Sequence, residues 1–144
     1  MSPMEILRFR AGHRVRLFDE GASAFEAMER AITEAKEHVH LETYILRTDR
    51  LGRRVLDLLA DRSREGFSVR VIYDAVGSRG IDRRVLAECE AYGVDFEEWN
   101  PPARWLWRFH PRLRDHRKML LVDGRIGFLG GLNVGDEYVG EGPE

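Results

Sequence analysis

An α/β fold, with a mixed but mostly parallel sheet flanked by helices, is what this sequence predicts, on three observations. Short alternating or β-branched runs recur along the chain, helical periodicities of about ten to fifteen residues separate them, and glycines stand where the helical patterns stop. From the N-terminus, residues 15–18 (VRLF) alternate and run into Asp19, Glu20 and Gly21, which reads as a strand and then a turn. Phe25, Met28, Ile32 and Ala35 recur at helical spacing, and Ser23 with Glu26 makes the S-x-x-E signature of a helix start. A helix is therefore expected over about 23–37. Val39, Leu41, Thr43 and Ile45 then alternate with His38, His40, Glu42 and Tyr44, which places the two sets on opposite faces of a strand. Val55, Leu58, Leu59 and Arg62 mark a second helix stopped by Gly66, and the β-branched run FSVRVIYD follows as a strand. Ile81, Val85, Leu86, Cys89 and Tyr92 mark a third helical face ending at Gly93, before a strand in VDFEEW. From Asn100 the pattern breaks: NPPARWLWRFHPRLRD has two adjacent prolines, a third at Pro111 and no sustained period, so it reads as a loop. KMLLVDGRIGFLGG then reads as two strands joined by a hairpin turn at Asp123 and Gly124.

Composition bounds what such a fold can be. The chain has 144 residues, 33% charged and 43% hydrophobic, the size and balance of one globular domain spanning 1–144. A domain of this length buries about two-thirds of its unfolded surface, so it forms a core without disulfides. The single Cys89 excludes an internal bridge, fits a reducing compartment and sits on an apolar helical face, where it reads as core. No stretch approaches the roughly 18 apolar residues of a membrane span, and the N-terminus lacks the apolar centre of a signal peptide, so any membrane contact is expected to be peripheral. With 23 Lys and Arg against 25 Asp and Glu, nucleic acid or anionic lipid would have to be met by a local patch.

The chemistry is concentrated between Asp115 and Val134. There His116, Lys118, Asp123, Gly130, Gly131 and Asn133 fit the pattern H-x-K-x4-D-x6-G-G-x-N. With each residue type near one in twenty, such a match arises by chance on the order of 10⁻⁸ per starting position. These residues resemble the HKD motif of the phospholipase D superfamily. With HVHLETYILRTD and VRVIYDAVGSRG they extend the resemblance, over nearly the whole chain, to its bacterial cardiolipin synthase branch. The fold it implies is a phospholipase D-like half.

The spacing makes physical sense on its own. His116 and Lys118 are two apart on an expected strand, so both side chains project from one face. A neutral imidazole attacks phosphorus, while the compact Lys118 cation holds a non-bridging oxygen as charge develops there. Asn133 is a candidate amide donor to the same oxygens, and Gly130 and Gly131 lack the Cβ that would keep a phosphate at a distance. Asp123, at a strand end, would repel a phosphate and reads as an acceptor for nearby donors, although the motif sets it beside the catalytic pair.

The resemblance implies a covalent phosphohistidine on one motif's histidine and protonation of the leaving alcohol by the histidine of a second motif. One imidazole cannot act on both sides of one phosphorus at once, so a second HKD half is expected. It comes either from a homodimer or, the favoured alternative, from a part of the protein beyond residue 144. An acidic residue roughly 25 to 32 positions downstream usually orients the nucleophile in this family, and Glu144 falls in that window. The expected activity is phosphatidyl transfer between two phosphatidylglycerols, with hydrolysis when water is the acceptor. Neither metal nor organic cofactor is implied, and the expected location is the bacterial cell membrane, peripherally. Two alternatives stand beside it: a homodimeric phosphodiesterase acting on nucleic acid, and a non-catalytic lipid-binding half.

Further residues carry weaker signals. Trp105, Leu106, Trp107 and Phe109 interleave with Arg104, Arg108, Arg112 and Arg114. That mixture suits an anionic membrane surface, single-stranded nucleic acid, or a set of rings capping the core. His40 and Glu42 have the spacing of metal ligands, but a polar strand face accounts for them as well. Glu42 and Tyr44 match a family segment and are candidates for the cavity wall. Gly77, Ser78, Arg79 and Gly80 follow a strand end, where α/β sheets bind ligands, or they merely turn the chain. His110, before Pro111, reads as loop.

Overall fold

In the computed structural model, which describes residues 11–101 and 114–140, the helical and strand periodicities become three helices and a five-stranded sheet. The elements are α1 (Gly21–Thr33), β1 (His38–Thr43), α2 (Arg50–Arg64), β2 (Ser68–Asp74), α3 (Arg83–Ala91), β3 (Asp95–Trp99), β4 (Lys118–Val122) and β5 (Ile126–Leu129), followed by a 3-10 turn at Asp136–Tyr138. The strands lie in the order β3-β2-β1-β4-β5.

The β1, β2 and β3 strands are parallel because a helix returns the chain to the same sheet end between each pair. After β3 no helix is described. The chain re-enters at the end where β3 finished, with Lys118 opposite Thr43, so β4 runs antiparallel to β1 and β5 antiparallel to β4. The sheet is thus mixed: β1, β2, β3 and β5 point the same way and β4 runs against them.

The inward set predicted for β1 forms the core. Val39 and Leu41 join Val69, Val71, Tyr73, Leu120 and Val122 against Phe25 and Ile32 of α1, Leu51, Val55, Leu56 and Leu59 of α2, and Leu86 and Cys89 of α3. All three helices pack on this one face of the sheet. The Cys89 thiol is buried as expected, donates to the Leu56 carbonyl at 3.8 Å, and is pushed up to about 11 by burial. None of the described helices is long and apolar enough to cross a membrane.

Three local expectations are corrected. Residues 15–18 form no strand: Val15 and Leu17 are 91% and 90% exposed, and only Phe18 touches the sheet, 6.3 Å from the Phe128 ring. Alternation makes a strand only where a neighbouring strand takes up its backbone hydrogen bonds, and none of the described strands does so here. The first helix starts two residues before Ser23. Glu20 occupies the N-cap with no side-chain cap, and the Ser23 hydroxyl donates back to the Glu20 carbonyl at 3.0 Å instead of capping. That helix also ends at Thr33 and not near Glu37, because the amides of Lys36, Glu37 and His38 donate to the Asp123 carboxylate at 2.9, 2.9 and 3.0 Å. The aromatic-basic stretch 102–113, with Arg104, Trp105, Leu106, Trp107, Arg108, Phe109, His110 and Arg112, lies outside the described residues, as does Glu144.

The hairpin forms at the expected place. Asp123 and Gly124 both have positive φ, 53° and 61°, and the Arg125 amide donates to the Val122 carbonyl at 3.0 Å, the signature of a type I′ turn. The three amides on Asp123 hold its carboxyl below the ordinary value of 3.8. Its contribution to stability is therefore full above that value and is lost as pH falls through the depressed one. We expect Asp123→Asn to lower the urea midpoint at neutral pH and the gap to wild type to close in strong acid; a gap that is the same at every pH would show that the carboxylate is not the clamp.

Candidate active site

The hairpin does what the motif spacing could not show: it folds Lys118 and Gly130, on opposite sides of the turn, against each other. The Gly130 amide donates to the Lys118 carbonyl at 3.3 Å, and Lys118 is itself beside Thr43 at the end of β1. His116 lies just before β4, in the segment leading into it, and is exposed. Its ring stacks on Tyr44, centroids 4.0 Å apart and planes 24° from parallel. The Lys118 ammonium donates to the His116 carbonyl at 2.7 Å, stands 3.4 Å from His116 Nδ1 and lies 5.3 Å from the centre of the Tyr44 ring. Histidine and lysine therefore converge on one spot.

Beside them is an open cavity of about 440 Å³ lined by Trp99, Arg114, Asp115, His116 and Arg117. Its two guanidiniums are held from behind by buried acids. Arg117 donates to Glu42 Oε1 at 3.0 Å, and Arg114 Nη1 is 3.5 Å from Asp74 Oδ1. Asp74, fully buried, also accepts from the amides of Val76, Gly77 and Asp115 at 2.8, 3.0 and 3.1 Å. Asp115 in turn accepts from the Arg117 amide at 3.1 Å. The Glu42 carboxyl is raised from 4.5, first by burial and then by the Asp115 carboxyl, with Arg117 opposing both.

The remaining expected site residues divide. Gly130 and Gly131 are exposed, and among the described residues a Cβ on either would meet no atom within 4 Å, so none of these fills the space beside them. Asn133 is turned inward, 4% exposed. Its Oδ1 accepts from the Ile45 amide at 3.0 Å and its Nδ2 donates to the Tyr138 hydroxyl at 2.6 Å, so only its second amide hydrogen is left for a ligand. Asp123 does not join the site: it lies at the other end of β4, about 17 Å from Lys118 at 3.3 to 3.4 Å per residue. Glu42 and Tyr44 do not line the large cavity but stand behind it, one against Arg117 and the other against His116. Glu42 does border a narrow slot of about 50 Å³ with Lys118 and Gly130.

The glycine-serine loop turns out to be a brace. Ser78 is 2% exposed, and its hydroxyl accepts from the Leu46 amide at 2.9 Å and donates to the Tyr44 carbonyl at 3.3 Å. His40 is crowded by His38, whose ring is 4.9 Å away; burial, then His38 and Arg70, lower its basicity. It and Glu42 gain no third candidate metal ligand among the described residues. Asp74 and Asp115 are site residues that pattern reading missed. A carboxylate at the end of a buried strand, and one adjoining the motif, were the signals that could have found them.

The chain is similar to known proteins on both sequence and fold. The family model for "Cardiolipin synthase, PLD-like domain" matches residues 28–141. A cardiolipin synthase of Oceanobacillus iheyensis is 42% identical over 126 residues, 88% of this chain and 26% of that protein. Cardiolipin synthase A of Pseudomonas aeruginosa is 41% identical over 133 residues, 92% of this chain and 27% of that protein. The chain thus spans about a quarter of the length of these relatives. The crystal structure of a phospholipase D family member, Nuc, from Salmonella typhimurium shares the fold, with a TM-score of 0.58 at 19% identity over 78% of this chain and 65% of that one.

A raised carboxyl binds its proton more tightly in the folded state, so the stability Glu42 contributes is present below 4.5 and lost as pH rises through its elevated value. The Glu42 carboxyl carbon, followed by NMR, is expected to titrate above 4.5, and higher still in Arg117→Ala. A midpoint at or below 4.5 would contradict the buried acid pair.

Proposed function

The chain belongs to the phospholipase D-like domain family of the cardiolipin synthases, and from that premise we propose that it is one catalytic half of a phosphatidyltransferase that makes cardiolipin from two phosphatidylglycerols. One observation supports this best: His116 and Lys118 meet at the edge of a cavity that also presents Arg114 and Arg117, an arrangement suited to an anionic phosphodiester.

In the proposed reaction an imidazole nitrogen of His116 attacks the phosphorus of the first phosphatidylglycerol. The bond from phosphorus to the glycerol oxygen breaks, and a histidine of the second HKD half protonates the departing glycerol. The second half then takes the proton from a hydroxyl of the second phosphatidylglycerol, whose oxygen attacks the phosphohistidine. Cardiolipin forms and His116 is freed. Water in place of the second lipid gives phosphatidic acid. Lys118 meets the charge that grows on the non-bridging oxygens, Gly130 and Gly131 leave them room, and the second amide hydrogen of Asn133 is available to one of them. Polypeptide of the same protein beyond residue 144 supplies the second half, and the chain works peripherally at an anionic bacterial membrane.

The test uses the protein at its full coding length on phosphatidylglycerol vesicles, with lipid products followed by mass spectrometry. We expect His116→Ala to abolish transfer and Lys118→Ala to reduce it by about 10²–10³-fold, the usual cost of losing one group that stabilises developing charge. Acid quenching should trap a phosphatidyl adduct on His116. Turnover that survives His116→Ala would overturn the assignment.

A further inference from the structure

We propose that Tyr44 is the positioning residue of this site, holding the His116 imidazole and the Lys118 ammonium in their working geometry, with Gly77 and Ser78 bracing it from behind. The inference rests on the reading of His116 as nucleophile and concerns how that nucleophile is held.

His116 needs such a support. It lies outside β4, exposed, in a segment without regular secondary structure and with no strand ladder to stiffen it. Among the described residues no carboxylate is placed on its ring nitrogens. The Lys118 ammonium, 3.4 Å from Nδ1, carries donors only and cannot accept an Nδ1 proton. What the ring does have is a stacked partner, with centroids 4.0 Å apart and planes 24° from parallel. A stack restrains the plane of an imidazole while leaving both nitrogens free at the ring edge, which is what a nucleophile requires and a hydrogen bond to the attacking nitrogen would deny. The same tyrosine ring attracts the Lys118 ammonium, 5.3 Å from its centre, so one side chain touches both members of the pair.

Tyr44 is fixed in turn. It follows Thr43, which is paired across the sheet with Lys118, so its backbone is in register with the motif strand. Behind it, Gly77 packs so closely that a Cβ there would collide with the Tyr44 carbonyl oxygen and come within 2.9 Å of its ring carbon Cε2. Ser78 adds its hydrogen bond to the same carbonyl and another to the Leu46 amide. The loop's glycine thus has a packing reason that lies within a few ångströms of the nucleophile's partner, and the loop's position is held by Asp74, whose carboxylate accepts from the Gly77 amide.

The test reads His116 directly. In the full-length protein labelled with 13C-histidine, the His116 ring protons should be displaced upfield by the Tyr44 ring current. Tyr44→Leu should remove that displacement and lower kcat by about 10²-fold, the cost of a small misplacement of a reacting group, with a smaller effect on KM. Tyr44→Phe, which keeps the ring, should retain both the displacement and most of the rate. Gly77→Ala, which pushes Tyr44 without touching the site, should move the His116 signals in the same direction as Tyr44→Leu. Unshifted His116 signals in folded Tyr44→Leu, a kcat at the wild-type level in that variant, or failure of Tyr44→Phe to restore the rate would each overturn the proposal. Wild-type protein with displaced His116 signals but no lipid product would instead remove the cardiolipin reading and leave the stack standing.

Discussion

The antiparallel seat of β4 beside β1 is the constraint on which the site depends. Thr43 faces Lys118 in that ladder, and everything else follows from the pairing: Tyr44 reaches His116, Glu42 reaches Arg117, and the hairpin brings Gly130 back to Lys118. Strand side chains alternate, so a slip of one residue would send Lys118 to the opposite face and separate it from its partners. Two features prevent it. Leu120 and Val122 are buried in the core, which a slip would expose, and the Asp123 carboxylate fastens the far end of the strand to three consecutive amides of the α1–β1 connection.

Charge is arranged with the same economy. Asp74, Glu42 and Asp115 are all buried, and a buried acid is costly unless it is paired or hydrogen-bonded. Here Asp74 collects three backbone amides and Arg114, while Glu42 takes Arg117 and shares its surroundings with Asp115. The acids stiffen the loops and aim two guanidiniums toward the cavity. Each arginine is tied by an acid on its protein side, which leaves its remaining donors for the cavity, the arrangement the proposed phosphodiester site would use.

Most of the element order was legible. The core face of β1, the strand in FSVRVIYD, the helix stops at Gly66 and Gly93 and the Asp123-Gly124 turn follow from period, propensity and turn chemistry, all of which are local. The strand expected at 15–18 failed because a strand needs a neighbour, and alternation alone says nothing about one. The helix expected to run to about residue 37 stopped early because its last amides are claimed by Asp123, more than eighty positions away.

For the candidate site, the sequence by itself determined which residue types stand together in the motif: a histidine and a lysine two apart, two glycines, an asparagine and an aspartate at a spacing far from random. Which of them meet was decided by tertiary structure. Asn133 turned inward to join the Ile45 amide to the Tyr138 hydroxyl, and Asp123 became a clamp at the far end of its strand. Tyr44 came to the site from just past the end of β1 and Asp74 from the end of β2. Spacing along a chain fixes direction within one strand, but only the pairing of strands decides which side chains from distant segments touch, and that pairing is set by burial and backbone hydrogen bonding summed over the whole sheet.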